Sequence, residues 1–418
     1  MNRQKRRYSR WGAAAACLIT TADAAAGADP EAEPEFEDTL TRDWDGARTA
    51  LLDRGVHVEA ENMTDVFASI RGGASDESSV SNLFEVAVTA ELETLAGLPG
   101  GTFFLHGFGA HGDDPAEAAG TIHAPGDLAE DEPVWRIAEA WYEQSLLDDR
   151  AGLLVGFYAA DSEFDVRETA DLFLNDGFDT GLELGETGRN ADSIFALSGL
   201  GLRGRFEPSD DYTISIAIIE GVPGDLDDPT AFRIELTDGE GVFMIAEAEW
   251  RPPGFDFARV GVGAWRYTTE FQRLDGAGEQ NGTGGAYFFA EGMLINGRGH
   301  EAQGLSGFVR IGRADQAVNR FDMHAAAGLT YTGLWPGRAE DQFGVGVSSV
   351  ANGDDFMAVA ANEGEAIERR ETILEVTYLA QVLPWLTIQP SLQYAINPET
   401  DPEIENHLAA GLRFGVEF

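Results

Sequence analysis

The sequence predicts an all-β fold: a transmembrane antiparallel β-barrel of about 16 strands with a short N-terminal helix. Stretches of about ten residues alternate apolar with polar or small side chains, which is typical of strands that face two different environments. The connections between these stretches alternate between short and long. After the leading residues, no apolar run is long enough to cross a bilayer as a helix.

The C-terminal stretch shows the alternation most clearly. Successive side chains of a strand point to opposite faces, so every second residue shares a face. One face would carry Leu408, Ala410, Leu412, Phe414, Val416 and Phe418. The other would carry His407, Ala409, Gly411, Arg413, Gly415 and Glu417. About sixteen such stretches follow one another, the second of them predicted over residues 83–95.

The connections indicate how the strands are arranged. After even-numbered stretches the chain turns back within a few residues, whereas most connections after odd-numbered stretches are long: 111–133, 160–192, 221–240, 271–283 and 351–369. Outer-membrane barrels have short periplasmic turns and long external loops, and an even strand count brings both ends of the sheet to the same side. The short connection 314–320 is an exception.

A short helix is predicted just before the first strand. In DWDGARTALLDRG, Asp43 or Asp45 can cap the N-terminus of the helix and Gly55 can end it. A helix of about ten residues is too short to be stable alone in water, so we expect it to pack in the barrel mouth or the lumen.

Three regions are predicted along the chain. Residues 1–28 have the basic, apolar and small-residue plan of a signal peptide for export. Residues 29–55 form an acidic segment with the short helix, and residues 56–418 form the barrel. The location expected for such a chain is the bacterial outer membrane. The only cysteine, Cys17, falls in the leader, so we expect no disulfide.

Composition limits the function classes. The chain has 73 acidic and 28 basic residues, a formal net charge of −45, which argues against nucleic acid as a partner. The same composition would fit a soluble secreted protein from a salty habitat, but the alternating pattern favours the barrel. Phosphate loops, zinc-protease motifs and nucleophile elbows are all missing from the sequence, so we expect no enzyme activity, no cofactor and no metal.

Several blocks resemble one known family. The helix segment carries Trp44, Gly46, Arg48, Leu51 and Gly55, which is similar to the W-x-G-x-R-x-x-L-x-x-x-G opening of carbohydrate-selective porins of the OprB family. Similar blocks follow in order at 95–112, 140–164, 333–347 and 375–398. The terminal Phe418 is similar to the signal that the barrel-assembly machinery reads.

The resemblance implies a sixteen-stranded, water-filled channel for passive diffusion of small neutral carbohydrates, such as the monosaccharide glucose, with loops folded inward. Its implied partners are these sugars, outer-membrane lipid and, during biogenesis, the barrel-assembly machinery. A general cation-preferring channel is the alternative, because the acid excess attracts cations. A structural barrel with a plugged lumen is a further alternative. The sequence is compatible with a monomer and with a homotrimer.

In a channel, selectivity comes from inward-facing side chains and inward-folded loops. Arg203 and Arg205 predict a cationic strip that faces acids across the lumen. The loop 160–192 holds Phe164, Phe173 and Phe178, which either enter the barrel or pack loop against loop. The candidate residues for lining the channel or binding sugar lie on the predicted polar faces: Glu91, Glu93, Glu139, Trp141, Glu143, Arg203, Arg205, Glu247, Glu249, Glu291, Arg310, Glu375 and Arg413.

Overall fold

The computed structural model describes residues 35–126, 128, 133–189, 194, 197–224, 239–255, 257–297 and 303–418. The predicted signal peptide lies outside these residues. The described chain forms sixteen strands: β1 Val56–Gly73, β2 Ser78–Glu91, β3 Gly101–Gly112, β4 Val134–Leu146, β5 Ala151–Tyr158, β6 Gly199–Ser209, β7 Tyr212–Glu220, β8 Val242–Trp250, β9 Ala258–Gln272, β10 Glu279–Asn296, β11 Gly304–Ala314, β12 Phe321–Thr332, β13 Gln342–Asn352, β14 Arg370–Leu383, β15 Leu386–Ile396 and β16 Glu405–Glu417.

The strands form one closed antiparallel barrel. Each strand pairs with its neighbours in the sequence, and β1 closes the sheet against β16. Asp65 lies opposite Arg413 in this closing pair. Closure leaves the sheet without an edge. A sheet that crosses the hydrocarbon core of a membrane needs this, because each unpaired backbone amide there costs several kcal/mol. The predicted fold class is therefore confirmed.

Side chains alternate between the two faces of the wall. On β7, Ile214 and Ile216 are exposed on the outside, whereas Ser215 and Ala217 are buried on the inside. The apolar outer face is suited to contact with membrane lipid. The inner face combines polar groups with an aromatic cluster. Among the described residues, no helix is long and apolar enough to cross a membrane.

Short helices lie between the strands. The α-helices are α1 Ala47–Leu52, α2 Leu92–Ala96, α3 Pro115–Ala119, α4 Leu182–Gly185 and α5 Asp354–Glu363. Single 3₁₀ turns occur at Glu35–Asp38, Trp44–Gly46, Ala160–Ser162, Asp176–Phe178 and Pro398–Thr400.

Two sequence predictions were wrong in detail. The second strand ends at Glu91 and not at residue 95, because Leu92–Ala96 turns into α2 and Gly97 ends that helix with a left-handed φ of 70°. The predicted long loop 271–283 is mostly strand: β9 runs to Gln272 and β10 begins at Glu279. Its glycine-rich sequence is typical of a loop, but most of these residues adopt the extended conformation of a strand.

The predicted N-terminal helix exists but is shorter than expected. Asp45 and Gly46 both adopt left-handed φ, which separates the turn Trp44–Gly46 from α1. Asp43 still acts on the helix start, because its carboxylate accepts from the backbone N–H of Thr49 at 2.7 Å. The helix packs where the barrel closes: the buried Arg48 donates to the carbonyl of Val58 in β1 and to that of Phe418, each at 2.9 Å.

Candidate functional site

The connection between β5 and β6 enters the barrel. We call residues 159–187 the pore segment. Phe173 and Phe178 of this segment stack on each other with ring centroids 4.4 Å apart, and both lie against Phe308 of β11. Phe164 joins a buried cluster that includes Phe104 of β3. The three phenylalanines therefore enter the barrel, and two of them also pack against each other.

Glycines in the wall make room for these rings. A Cβ atom at Gly346 of β13 would lie 2.7 Å from the ring of Phe178 and 2.8 Å from that of Phe173. A Cβ atom at Gly328 of β12 would lie 3.0 Å from Phe173. The distances at Gly346 are too short for a side chain and the distance at Gly328 is tight, so the wall is shaped to receive the pore segment.

Carboxylates of the wall bind the backbone of the pore segment. Glu291 of β10 accepts from the N–H groups of Glu168 and Thr169, at 3.2 and 2.8 Å. Glu375 of β14 accepts from those of Leu174 and Asn175, at 3.0 and 3.1 Å.

Two more wall carboxylates accept one N–H each. Glu139 of β4 accepts from Ala159 at 3.0 Å, and Glu247 of β8 accepts from Asp165 at 2.9 Å. Hydrogen bonds of this kind satisfy amides that a strand or helix would otherwise pair.

Arg310 of β11 forms a completely buried ion-pair cluster. Its guanidinium donates to Asp165 at 2.8 Å and to Glu183 of α4 at 2.6 Å. Burial alone would raise the pKa of Asp165, but Arg310 and Arg167 outweigh it and hold that pKa below its ordinary value. For Glu183, burial outweighs the attraction of Arg310, and the pKa is raised.

The predicted pair of arginines on β6 points into the barrel, and both guanidinium groups are paired. Arg203 contacts Glu143 of β4 at 2.9 Å and Glu163 of the pore segment at 2.7 Å. Arg205 contacts Glu207 of its own strand at 2.7 Å. The strip is therefore a row of ion pairs, one of which reaches from the wall to the pore segment.

Further pairs continue around the wall. Arg259 of β9 donates to Glu249 of β8 at 3.2 Å and to Glu291 at 2.7 Å. Arg413 of β16 forms a two-bond pair with Asp65 of β1, each bond at 2.7 Å.

Three candidates are placed differently from the expectation. Glu91 is the last residue of β2 and is exposed at its end. Glu93 lies in α2, so its predicted position on a strand face is wrong. Trp141 faces inward but is buried against Phe104, with ring centroids 4.8 Å apart, so Phe104 covers the aromatic platform expected for a sugar.

Sequence reasoning missed a second inward anchor. Glu371 of β14 accepts from the N–H groups of Ile122 and His123, both at 2.8 Å, and from the His123 ring at 2.7 Å. The sequence predicts an external loop over residues 111–133, whereas Ile122 and His123 are bound to the inner wall. The period-two pattern on β14 could have found Glu371, because it shares a face with Glu375.

Over the ranges that the structure describes, no three His, Cys, Asp or Glu side chains are grouped to hold a metal ion. His106 instead pairs with the buried Glu85 of β2 at 3.0 Å.

A closed sixteen-stranded barrel that is apolar outside, polar inside and narrowed by an inserted segment has the architecture of a porin. The family model described as "Carbohydrate-selective porin, OprB family" matches residues 77–418. The chain belongs to this family. The family and the fold place it in the bacterial outer membrane, as a channel rather than an enzyme.

Known proteins of similar sequence and fold are porins too. Porin B of Pseudomonas aeruginosa is 24% identical over 422 residues, which covers 90% of each chain. The high-pH structure of Pseudomonas putida OprB superposes with a TM-score of 0.85 at 22% identity, covering 91% of this chain and 98% of that one. The low-pH structure of the same protein gives 0.60 at 18% identity with the same coverage. These structural similarities concern the fold.

Proposed function

We propose that this porin lets small neutral carbohydrates, monosaccharides such as glucose, diffuse passively across the outer membrane. The observation that carries the proposal is the pairing of interior charges. Arg203, Arg259 and Arg310 each contact two carboxylates at 3.2 Å or less. This pairing leaves no bare guanidinium at these three positions, so they give a charged solute no advantage over a neutral one rich in hydroxyl groups.

The proposed solute-contacting residues are the inward charges that keep some exposure. The side chains of Arg205 and Glu249 are 13% and 10% exposed, and the partner of Arg205, Glu207, is 30% exposed. A sugar could exchange hydrogen bonds with these groups at little cost, because they already face water.

A general cation-preferring channel is the second candidate. The excess of 73 acidic over 28 basic residues favours it, because a negative potential concentrates cations. Only acids that have no guanidinium partner would produce that preference in the lumen.

The proposal includes biogenesis. Residues 1–28 act as the export signal, residues 29–55 precede the barrel domain of 56–418, and Phe418 is read by the barrel-assembly machinery before the barrel meets lipid. The functional unit is a monomer or a homotrimer.

Swelling of liposomes tests the proposal. Purified protein is reconstituted, and swelling rates are compared for glucose, a disaccharide and a cationic amino acid of similar size to glucose. Faster entry of glucose than of the cationic solute is expected. Equal rates, or faster entry of the cation, would favour the general channel and contradict sugar selectivity.

A further inference from the structure

Four buried wall carboxylates, Glu139, Glu247, Glu291 and Glu375, all contact backbone amides of the pore segment. We propose that they are positioning residues that set the width of the channel, and that they do not bind the solute. This inference rests on the proposed function, because it concerns the selectivity of the same channel.

The carboxylates have no room for a solute. The side chain of Glu291 is fully buried, and Glu375 is likewise inaccessible. Each uses both of its oxygens on two consecutive amides, and Glu375 also accepts from the hydroxyl of Ser391 at 2.9 Å. A sugar hydroxyl would have to displace charge-assisted bonds that are stronger than its own.

The anchors are spread along the segment and around the barrel. They hold residues 159, 165, 168–169 and 174–175 from β4, β8, β10 and β14 in turn. The wall also holds carbonyl groups of the segment: Arg259 donates to Val166, and Gln389 of β15 donates to Leu172. The backbone path is therefore fixed from several sides, and the path decides how much of the lumen stays open.

Substitution of Glu375 by glutamine isolates the anchoring role, because the other described partner of its carboxylate is the neutral hydroxyl of Ser391. Glu291→Gln tests the same role together with the ion pair to Arg259. A glutamine keeps the shape of glutamate but has only one acceptor oxygen, so its NH₂ group would face the second amide donor. In Glu291→Gln and Glu375→Gln, one amide of each pair loses its acceptor. The population with a detached segment should rise about tenfold or more, since a bond to a charged group contributes at least one such factor.

Glu85→Gln is the matched control. Glu85 is as buried as the anchors, but it pairs with His106 on the neighbouring strand. All variants are first checked for a folded barrel by heat-dependent gel migration. Single-channel currents in KCl and the ratio of disaccharide to monosaccharide swelling rates are then measured.

We expect larger, fluctuating currents and a higher disaccharide ratio for both anchor variants, with Glu85→Gln like the wild type. Folded anchor variants that match the wild type or the control would overturn the inference. The KCl currents also separate the two proposals: a wild type that excludes sugars refutes the proposed function, whereas the conductance comparison still tests the anchors.

A second pair of variants removes the donor instead of the acceptor. Asn175 has a φ of −75°, which proline can adopt. Asn175→Pro deletes both the side chain and the N–H that Glu375 binds, whereas Asn175→Ala deletes only the side chain. If the anchor sets the width, the proline variant gives the larger conductance; equal conductance for the two would contradict the inference.

Discussion

Replacing Arg310 with methionine should loosen the pore segment. The change removes the cation between Asp165 and Glu183, whose side chains are completely buried. Glu183 then loses its arginine partner, and of its two arginine partners Asp165 keeps only Arg167. Removing one partner of a buried ion pair costs about 3–5 kcal/mol. Because these contacts join the wall to the segment, the cost should fall on docking of the segment more than on the barrel.

Hydrogen exchange measured by mass spectrometry follows docking directly. A loss of this size should speed exchange of the amides in residues 159–187 on the order of 10²- to 10⁴-fold. Arg413→Met is the control, because Arg413 pairs with Asp65 across β1 and β16 and not with the segment. That variant should affect exchange in β1 and β16. Unchanged exchange of the segment in Arg310→Met would refute the reasoning.

The pH dependence has a definite sign. In the wild type the pKa of Asp165 is lowered, so its stabilising contribution is present above the ordinary carboxyl pKa and is lost as pH falls through the lowered pKa. Without Arg310, both carboxyls should take up protons at higher pH, which removes the buried charge. The difference in exchange rate between variant and wild type should therefore shrink from pH 7 towards about pH 4. A difference that grows on acidification would contradict this account.

Three further substitutions test other parts of the interior. Gly346→Val should push the phenylalanine pair of the segment into the lumen and lower the single-channel conductance in KCl; an unchanged conductance would show that the wall does not position the segment. Arg203→Gln leaves its two carboxylate partners without a cation, so the reversal potential in a KCl gradient should shift towards cation selectivity, and no shift would contradict the charge-pairing argument. Arg48→Gln should lower the free energy of unfolding in detergent by about 2 kcal/mol or more, measured by denaturant titration, because charged hydrogen bonds to Val58 of β1 and to Phe418, which follows β16, are lost. An unchanged midpoint would contradict a stabilising role for Arg48.

The wall could be predicted from the sequence because alternation is a local property. Leu412 and Arg413 are neighbours in the chain and face opposite media, and this contrast is visible without any knowledge of the partner strands. The prediction failed where the same residue sequence is compatible with two kinds of secondary structure. Leu92 and Glu93 continue the alternation of β2, yet Gly97 allows a helix there, and the glycines that follow Asn281 belong to an extended strand.

For the interior, the sequence predicts which side chains point inward but not which groups they bind. The polar faces correctly suggested which side chains point inward, such as Glu291 and Glu375. Their partners are backbone amides more than a hundred residues away in the chain, and an amide has no signature in a sequence. The prediction that Glu291 and Glu375 line the channel or bind sugar therefore omitted the backbone contacts that both residues make.

The hydrogen bonds of Arg48 can form only after the barrel has closed. The arginine joins Val58, ten residues away, to Phe418, which is 370 residues away, so its binding site does not exist until the whole sheet has closed. Contacts between such distant parts of a chain form late and slowly. A chain that stopped before β16 would keep two open strand edges and would lack half of this site, so an unfinished molecule differs from a finished one at the point where its two ends meet.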